Sequence, residues 1–174
     1  RVVGRESLRF IQDIPYIKYS FKEHDLPIYN LKVKEYDLEF LRTNLPDASE
    51  YLTDEYKVYV PAVFEYDGEE RDVRIRNRGL ARNHWLWPKK SIRVQFNDDL
   101  FKGIKNLNLI TPIDRLYLAE EFNHYRAKRL GLLVPRSFFV VVTVNSKDPA
   151  IYWAVEHYEK EMLEVAKFSS DANF

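Results

Sequence analysis

The sequence predicts an α+β domain, a twisted antiparallel β-sheet packed with one long α-helix, on three observations. Between residues 57 and 96, apolar and polar residues alternate with the two-residue period of half-buried strands, interrupted by the turn pair Asp67-Gly68. Residues 116–130 place Leu118, Phe122 and Tyr125 at helical spacing and end at Gly131. Residues 137–144 form a nearly continuous apolar run, followed by a polar turn and a second apolar stretch, the pattern of a buried hairpin. Clustered strands with one helix among them are an α+β signature.

Composition sets the outer limits. A chain of 174 residues suits one domain, and 45% hydrophobic with 15% aromatic residues exceeds what a disordered chain carries. The apolar run at 138–144 is far short of the roughly 20 residues that a membrane-spanning helix needs. The N-terminus lacks the basic–apolar–small order of a signal peptide. Zero cysteine excludes disulfides, thiolate metal sites and a cysteine nucleophile. The chain starts at Arg1, not Met, which reads as an excised domain or a processed fragment.

In chain order, residues 1–25 lack periodicity and read as a lead-in or connector. Leu26–Val33 is a strand; Tyr36–Leu45 is a helix with Leu38, Leu41 and Leu45 on one side, stopped by Pro46. Lys57–Tyr66 and Asp72–Arg76 flank the Asp67-Gly68 turn. Val73 and Ile75 take one face of the second strand, Arg74 and Arg76 the other. Residues 77–88 form a long loop with Gly79, His84, Trp85 and Trp87. In Lys90–Phe96, Lys90 shares the apolar face of Ile92 and Val94, while Lys89, Ser91 and Arg93 share the other. A turn at Asn97-Asp98-Asp99 leads to a short apolar stretch, Leu107–Ile110. Asp114 is placed to cap the long helix, and Lys128 and Arg129 suit its negative C-terminal end. Ser137–Val144 and Ala150–Glu156 are strands, and Glu159–Lys167 is a last helical stretch before a polar tail.

Formal neutrality hides a charge asymmetry. Residues 71–93 contain eight basic side chains against Asp72 alone, a local +7 that the remaining residues offset. The window fits an anionic partner at one place rather than a broad nucleic-acid surface. Arg74, Arg76 and Arg78 row along one strand face, followed by Lys89 and Lys90, and guanidinium and ammonium groups offer phosphate oxygens donors without competing acceptors. The bland alternative is a solvated basic strand face. An inward Lys90 needs a partner, and Glu121, at the border of the helix's apolar face, is the candidate unless it lies at the surface.

Other chemistries are excluded. The five glycines build none of the phosphate-loop, dinucleotide or nucleophile-elbow motifs. His24, His84, His124 and His157 lack ligand spacing and read as surface or packing residues, so no metal site is expected. The adjacent acids Asp98-Asp99 and Glu120-Glu121 point in different directions and form no catalytic pair.

Several ordered motifs together resemble the CotH family, named for spore coat protein H and grouped with atypical protein kinases. They are Leu26-Pro27-Ile28-Tyr29, Val73-Arg74-Ile75-Arg76-Asn77-Arg78-Gly79, Lys89-Lys90-Ser91, Gly103-Ile104-Lys105-Asn106-Leu107-Asn108-Leu109, and Arg129-Leu130-Gly131-Leu132 with Val134-Pro135-Arg136. Asn145, Tyr152 and Val155-Glu156 complete the likeness, which runs from Leu26 to Glu156. It implies a protein kinase-like N-lobe over residues 26–156 that covers ATP, with residues 157–174 starting an inter-lobe segment. Lys90, or Lys89, would hold the α- and β-phosphates; Arg76 and Arg78 would add phosphate contacts; the backbone of Val155, Glu156 and His157 would meet adenine. Ala150 stands where the family often has glycine, and the family's helix often carries an acid near Tyr125.

Phosphoryl transfer also needs side chains that hold magnesium and an acid that orients the acceptor. By the resemblance these lie in a second lobe, and after Glu156 only Asp171 is an aspartate, so no catalytic residue is assigned within this chain. The expected function is the ATP-binding portion of a kinase that phosphorylates protein. The alternative is a non-catalytic module that binds a protein partner on a coat or cell surface, a location the family implies. A third reading uses Trp85 and Trp87 to stack nucleic-acid bases, but the acidic remainder of the chain disfavours it. Without a second lobe, an apolar edge at Tyr152, Trp153 and Tyr158 would favour self-association.

Overall fold

The computed structural model describes residues 25–97 and 99–167. The expected lead-in, Asp98 of the expected turn, His24 and the polar tail with Asp171 lie outside the described residues.

Seven strands close into a barrel. In chain order they are β1 (Ile28–Lys32), β2 (Val60–Tyr66), β3 (Glu69–Asn77), β4 (Ile92–Phe96), β5 (Asn106–Ile110), β6 (Ser137–Val144) and β7 (Lys147–Glu156). Around the barrel the order is β1-β2-β3-β4-β5-β7-β6, and β6 returns to β1. Every neighbouring pair is antiparallel except β1–β6, which is parallel with Ile28 opposite Val141 and Leu31 opposite Val144. Among the described residues three short α-helices are interposed: α1 (Glu35–Thr43), α2 (Ala119–Arg129) and α3 (Lys160–Val165).

This corrects the expected open sheet covered by one long helix, and with it the kinase-like N-lobe. The sheet has no open edge, because the β1–β6 ladder joins its two ends. Two asparagines hold that seam. Asn145, in the β6–β7 turn, accepts from the Val33 backbone N–H at 2.8 Å and donates to the Val33 carbonyl at 2.9 Å, extending the ladder past β1. Asn30 donates to Glu65 on one side and accepts from Thr143 Oγ1 and the Ser146 N–H on the other.

The long helix also falls short. Leu116 and Tyr117 adopt positive φ of 47° and 61°, which delays α2 to Ala119. Asp114 does not cap it, since its carboxylate sits between His84 and Arg115. None of α2 is buried: strand side chains fill the closed interior, the helix meets the outer face of β6 and β7 through Glu121 and His124, and Leu118, Phe122 and Tyr125 stay exposed.

The interior follows the strand alternation. Toward one end Tyr29, Phe64, Phe96 and Phe101 pack ring on ring, with centroids 4.9–5.4 Å apart for Tyr29–Phe64, Phe64–Phe101 and Phe96–Phe101. Toward the other, Ile75, Ile92, Val142, Val144 and Ala150 are smaller and leave a cavity of about 520 Å³ at the barrel mouth, which α1 lines with Leu38 and Leu41. The Asn77 side chain reaches from β3 to the Leu41 carbonyl at 2.7 Å and holds α1 there. The Asp67-Gly68 hairpin forms as read, both residues with positive φ. Of the expected apolar edge, Tyr152 and Trp153 are buried and Tyr158 alone is exposed. Among the described residues no helix is long and apolar enough to cross a membrane.

Candidate functional site

The basic window divides across the barrel wall. Val73, Ile75 and Asn77 of β3 are buried, which turns Arg74 and Arg76 outward. Register sets Arg76 opposite Arg93 of β4, and Arg93 opposite Asn108 of β5. The outer face of β3–β5 therefore gathers cations that are far apart in sequence. Arg74 donates to Gln95 Oε1, and the guanidinium groups of Arg74 and Arg76 lie 5.4 and 5.1 Å from the Tyr59 ring centroid. Arg93 donates through Nε to Asn108 Oδ1 at 3.0 Å, with Nη2 3.4 Å from His157 Nδ1.

Arg78 is the anomaly of this face. It follows β3 directly, and its backbone N–H donates to the Ser91 carbonyl. Its Nε and Nη1 are buried without a hydrogen-bond acceptor, and no carboxylate forms an ion pair with it among the described residues. Burial, then repulsion from Arg93 and Arg115, lowers the guanidinium pKa to about 10, with Asp114 opposing. An unpaired buried cation is costly, and an anion seated against it would relieve that cost.

Beside Arg78, a polar network ties the loops to β4. His84 Nδ1 lies 3.1 Å from Ser91 Oγ and its Nε2 3.3 Å from Asp114 Oδ2; Ser91 Oγ accepts from the Thr111 N–H. The order Ser–His–Asp matches that of a hydrolase triad, but Ser91 is completely buried and its oxygen is already engaged, so the network packs rather than attacks. The cationic surroundings register on both histidines. His84 falls to about 4 through burial and then Arg78, and His157 falls to about 4 through burial and then Arg93 and Arg78.

His84 gives the fold a pH dependence. Its ordinary value is 6.5, so between pH 6.5 and about 4 the unfolded chain binds a proton that the folded ring refuses. Stability is complete above that window and is lost as pH falls through it, by up to about 3 kcal/mol from this ring. Urea midpoints from pH 7.5 down to 4.5 should decline, and His84→Asn should make the decline shallower, His157 contributing part of what remains; an equally steep decline in the variant would show that His84 does not cause it.

The lysines lie elsewhere. Lys90 lines the barrel mouth with Ile92, and its Nζ donates to the carbonyls of Trp85 (3.0 Å) and Trp87 (3.1 Å). Lys89 Nζ donates to the Asp148 carbonyl at 2.9 Å. Trp85 is buried with its indole N–H on the Leu80 carbonyl, which occupies it in the loop. Glu121, read as the partner of Lys90, sits on the outer face of β6 and β7, where its Oε2 accepts from Ser137 Oγ at 2.9 Å and Trp153 Nε1 at 2.8 Å. At the end of β7, the N–H groups of Glu156 and His157 donate to the carbonyls of Arg136 and Asn106. The Glu156 carboxylate takes a two-pronged bond from Arg136, at 2.7 and 2.8 Å.

The structure thus joins Arg76, Arg78 and His157 and adds Arg93, Asn108 and Arg115, while Lys89 and Lys90 take the inner side of the same wall. Arg93 was on the outward face of its strand by alternation alone. Its apposition to Arg76 depends on the β3–β4 register across a loop with no length signature. Among the described residues no three His, Asp or Glu side chains cluster to hold a metal.

A family model described as "CotH kinase protein" matches residues 75–174. Inner spore coat protein H of Bacillus subtilis (strain 168) is 25% identical over 154 residues, which is 87% of this chain and 40% of that protein. The chain therefore spans well under half the length of that curated relative.

Proposed function

The chain belongs to the CotH family, and from that premise we propose that it binds the phosphates of ATP on its arginine face, for phosphoryl transfer to protein by the whole protein. One observation carries the reading: the buried, unpartnered Nε and Nη1 of Arg78 among Arg76, Arg93 and Arg115. A guanidinium presents donors in a planar fork that matches phosphate oxygens, and a desolvated one binds them more strongly than one in water. In this reading Arg78 is the anchor, Arg76 and Arg93 spread the negative charge, and neutral His157 sits beside Arg93. Magnesium would neutralise the remaining phosphate charge, and no residue of this chain is assigned to it. The resemblance-based roles for Lys90 and Lys89 would place the phosphates at the barrel mouth instead, and the adenine-contacting backbone would have to work beside amides already engaged.

Titration calorimetry with ATP, with and without magnesium, tests this. Wild type should bind, and Arg78→Gln should weaken binding roughly ten- to a hundredfold, the worth of a charge-assisted hydrogen bond. Loss with Lys90→Ala and not with Arg78→Gln would move the phosphates to the mouth. No heat from folded wild type would favour the second reading, a coat-assembly module located at the spore coat, which rests on the relative's name and on the exposed apolar surface of α2.

A further inference from the structure

The cavity of about 520 Å³ at the barrel mouth lies apart from the arginine face. Its depth is apolar, lined by Ile75, Ile92, Val142 and Ala150 of the strands and by Leu38 and Leu41 of α1, each buried or half-buried. Two polar side chains reach the same depth, and both are engaged. Asn77 donates to the Leu41 carbonyl, and the Tyr152 hydroxyl donates to the Lys90 carbonyl at 3.1 Å. The interior therefore suits an apolar body, and its size falls among sites of about 300–1,000 Å³ that take small molecules.

The opening is charged. Arg42, Lys89, Lys90 and Asp148 line it. Arg42 meets Glu35 and Glu39 of its own helix, at 3.5 and 3.7 Å, so the sign at the opening rests on Lys89 and Lys90 against Asp148. The carbonyls of Trp85 and Trp87 hold Lys90 Nζ, and the Asp148 carbonyl holds Lys89 Nζ. Carbonyl bonds fix an ammonium in place and leave its charge intact. Two fixed cations over an apolar well are complementary to a single apolar chain that ends in an anion. The chain gains by leaving water, and the head gains from ammonium groups beside a wall of low dielectric.

We propose that the barrel mouth binds a single-chain amphipathic carboxylate, with its hydrocarbon in the well and its head at Lys89 and Lys90. The arginines occupy the outer side of the same wall, so the site does not depend on ATP binding there. Equilibrium dialysis of the folded chain against submicellar radiolabelled decanoate tests it. Decanoate should be retained. Octanoate should compete roughly tenfold more weakly, having two fewer methylenes to bury, and decyltrimethylammonium, the same chain length with a cationic head, should not compete. Lys89→Met and Lys90→Met keep apolar stems and remove the charge, and each should weaken decanoate binding roughly tenfold. If circular dichroism shows that Lys90→Met disturbs the fold, Lys89→Met and the three ligands on wild type still decide. Saturating ATP should leave decanoate retention unchanged. No retention, equal competition by the cationic chain, no dependence on chain length, indifference to Lys89→Met, or displacement by ATP would each overturn the proposal; the last would assign the two lysines to the nucleotide.

Discussion

Gly79→Ala should destabilise the barrel by about 3 kcal/mol or more, summing left-handed backbone strain and overpacking, and lower the thermal midpoint by roughly 10 °C. Gly79 has φ +92°, and a Cβ there would stand 2.1 Å from His84 Cγ and 2.4 Å from His84 Cβ. The ring cannot step aside, since Ser91 and Asp114 flank both its nitrogens. Only glycine lets the chain pass His84 and still present Arg78 one residue earlier. A double-mutant cycle separates the two terms. Adding His84→Gly to Gly79→Ala should remove the clash, ring and Cβ together, but keep the strain, so the pair should cost less than the sum of the singles. Strict additivity would show that the ring contact contributes nothing.

Arg136→Met is expected to cost about 3–5 kcal/mol, because it strands the Glu156 carboxylate, which is 4% exposed. Arg136 also donates to the carbonyls of Lys102 and Gly103, so the substitution loosens the β4–β5 connection against the start of β6. Pairing it with Glu156→Gln should recover most of the loss in the urea midpoint, since a neutral amide is cheaper to bury than an unpaired charge. If the double variant is no better than Arg136→Met, the lost carbonyl contacts, and not the stranded charge, carry the cost.

Arg136 and Glu156 also show how much of the site was legible. They stand in two motifs that carry the family likeness, each readable alone, and nothing local says that one closes on the other. Likewise, alternation in residues 72–76 and 90–96 set Arg74, Arg76 and Arg93 outward and Lys90 inward, as the structure has them. What supports an inward Lys90 was not fully legible, because its acceptors include the backbone carbonyls of Trp85 and Trp87, and carbonyls are common to every residue.

Local pattern in the sequence set six of the seven strands, the Asp67-Gly68 hairpin turn and the apolar side of the alternating strands, because these depend on neighbours one to four residues away, whereas 107–110 read only as a short apolar stretch. Tertiary structure alone decided that β6 returns in parallel to β1, more than a hundred residues distant, and so closed the sheet. That closure filled the interior with strand side chains and left α2 the outer wall of β6 and β7, which it touches through Glu121 and His124. It turned the apolar side of α2 from an expected core into an exposed ridge and gathered Arg76, Arg78 and Arg93 on one convex wall. Long-range register follows from which buried surfaces fit together once the chain is compact, and no local period encodes it.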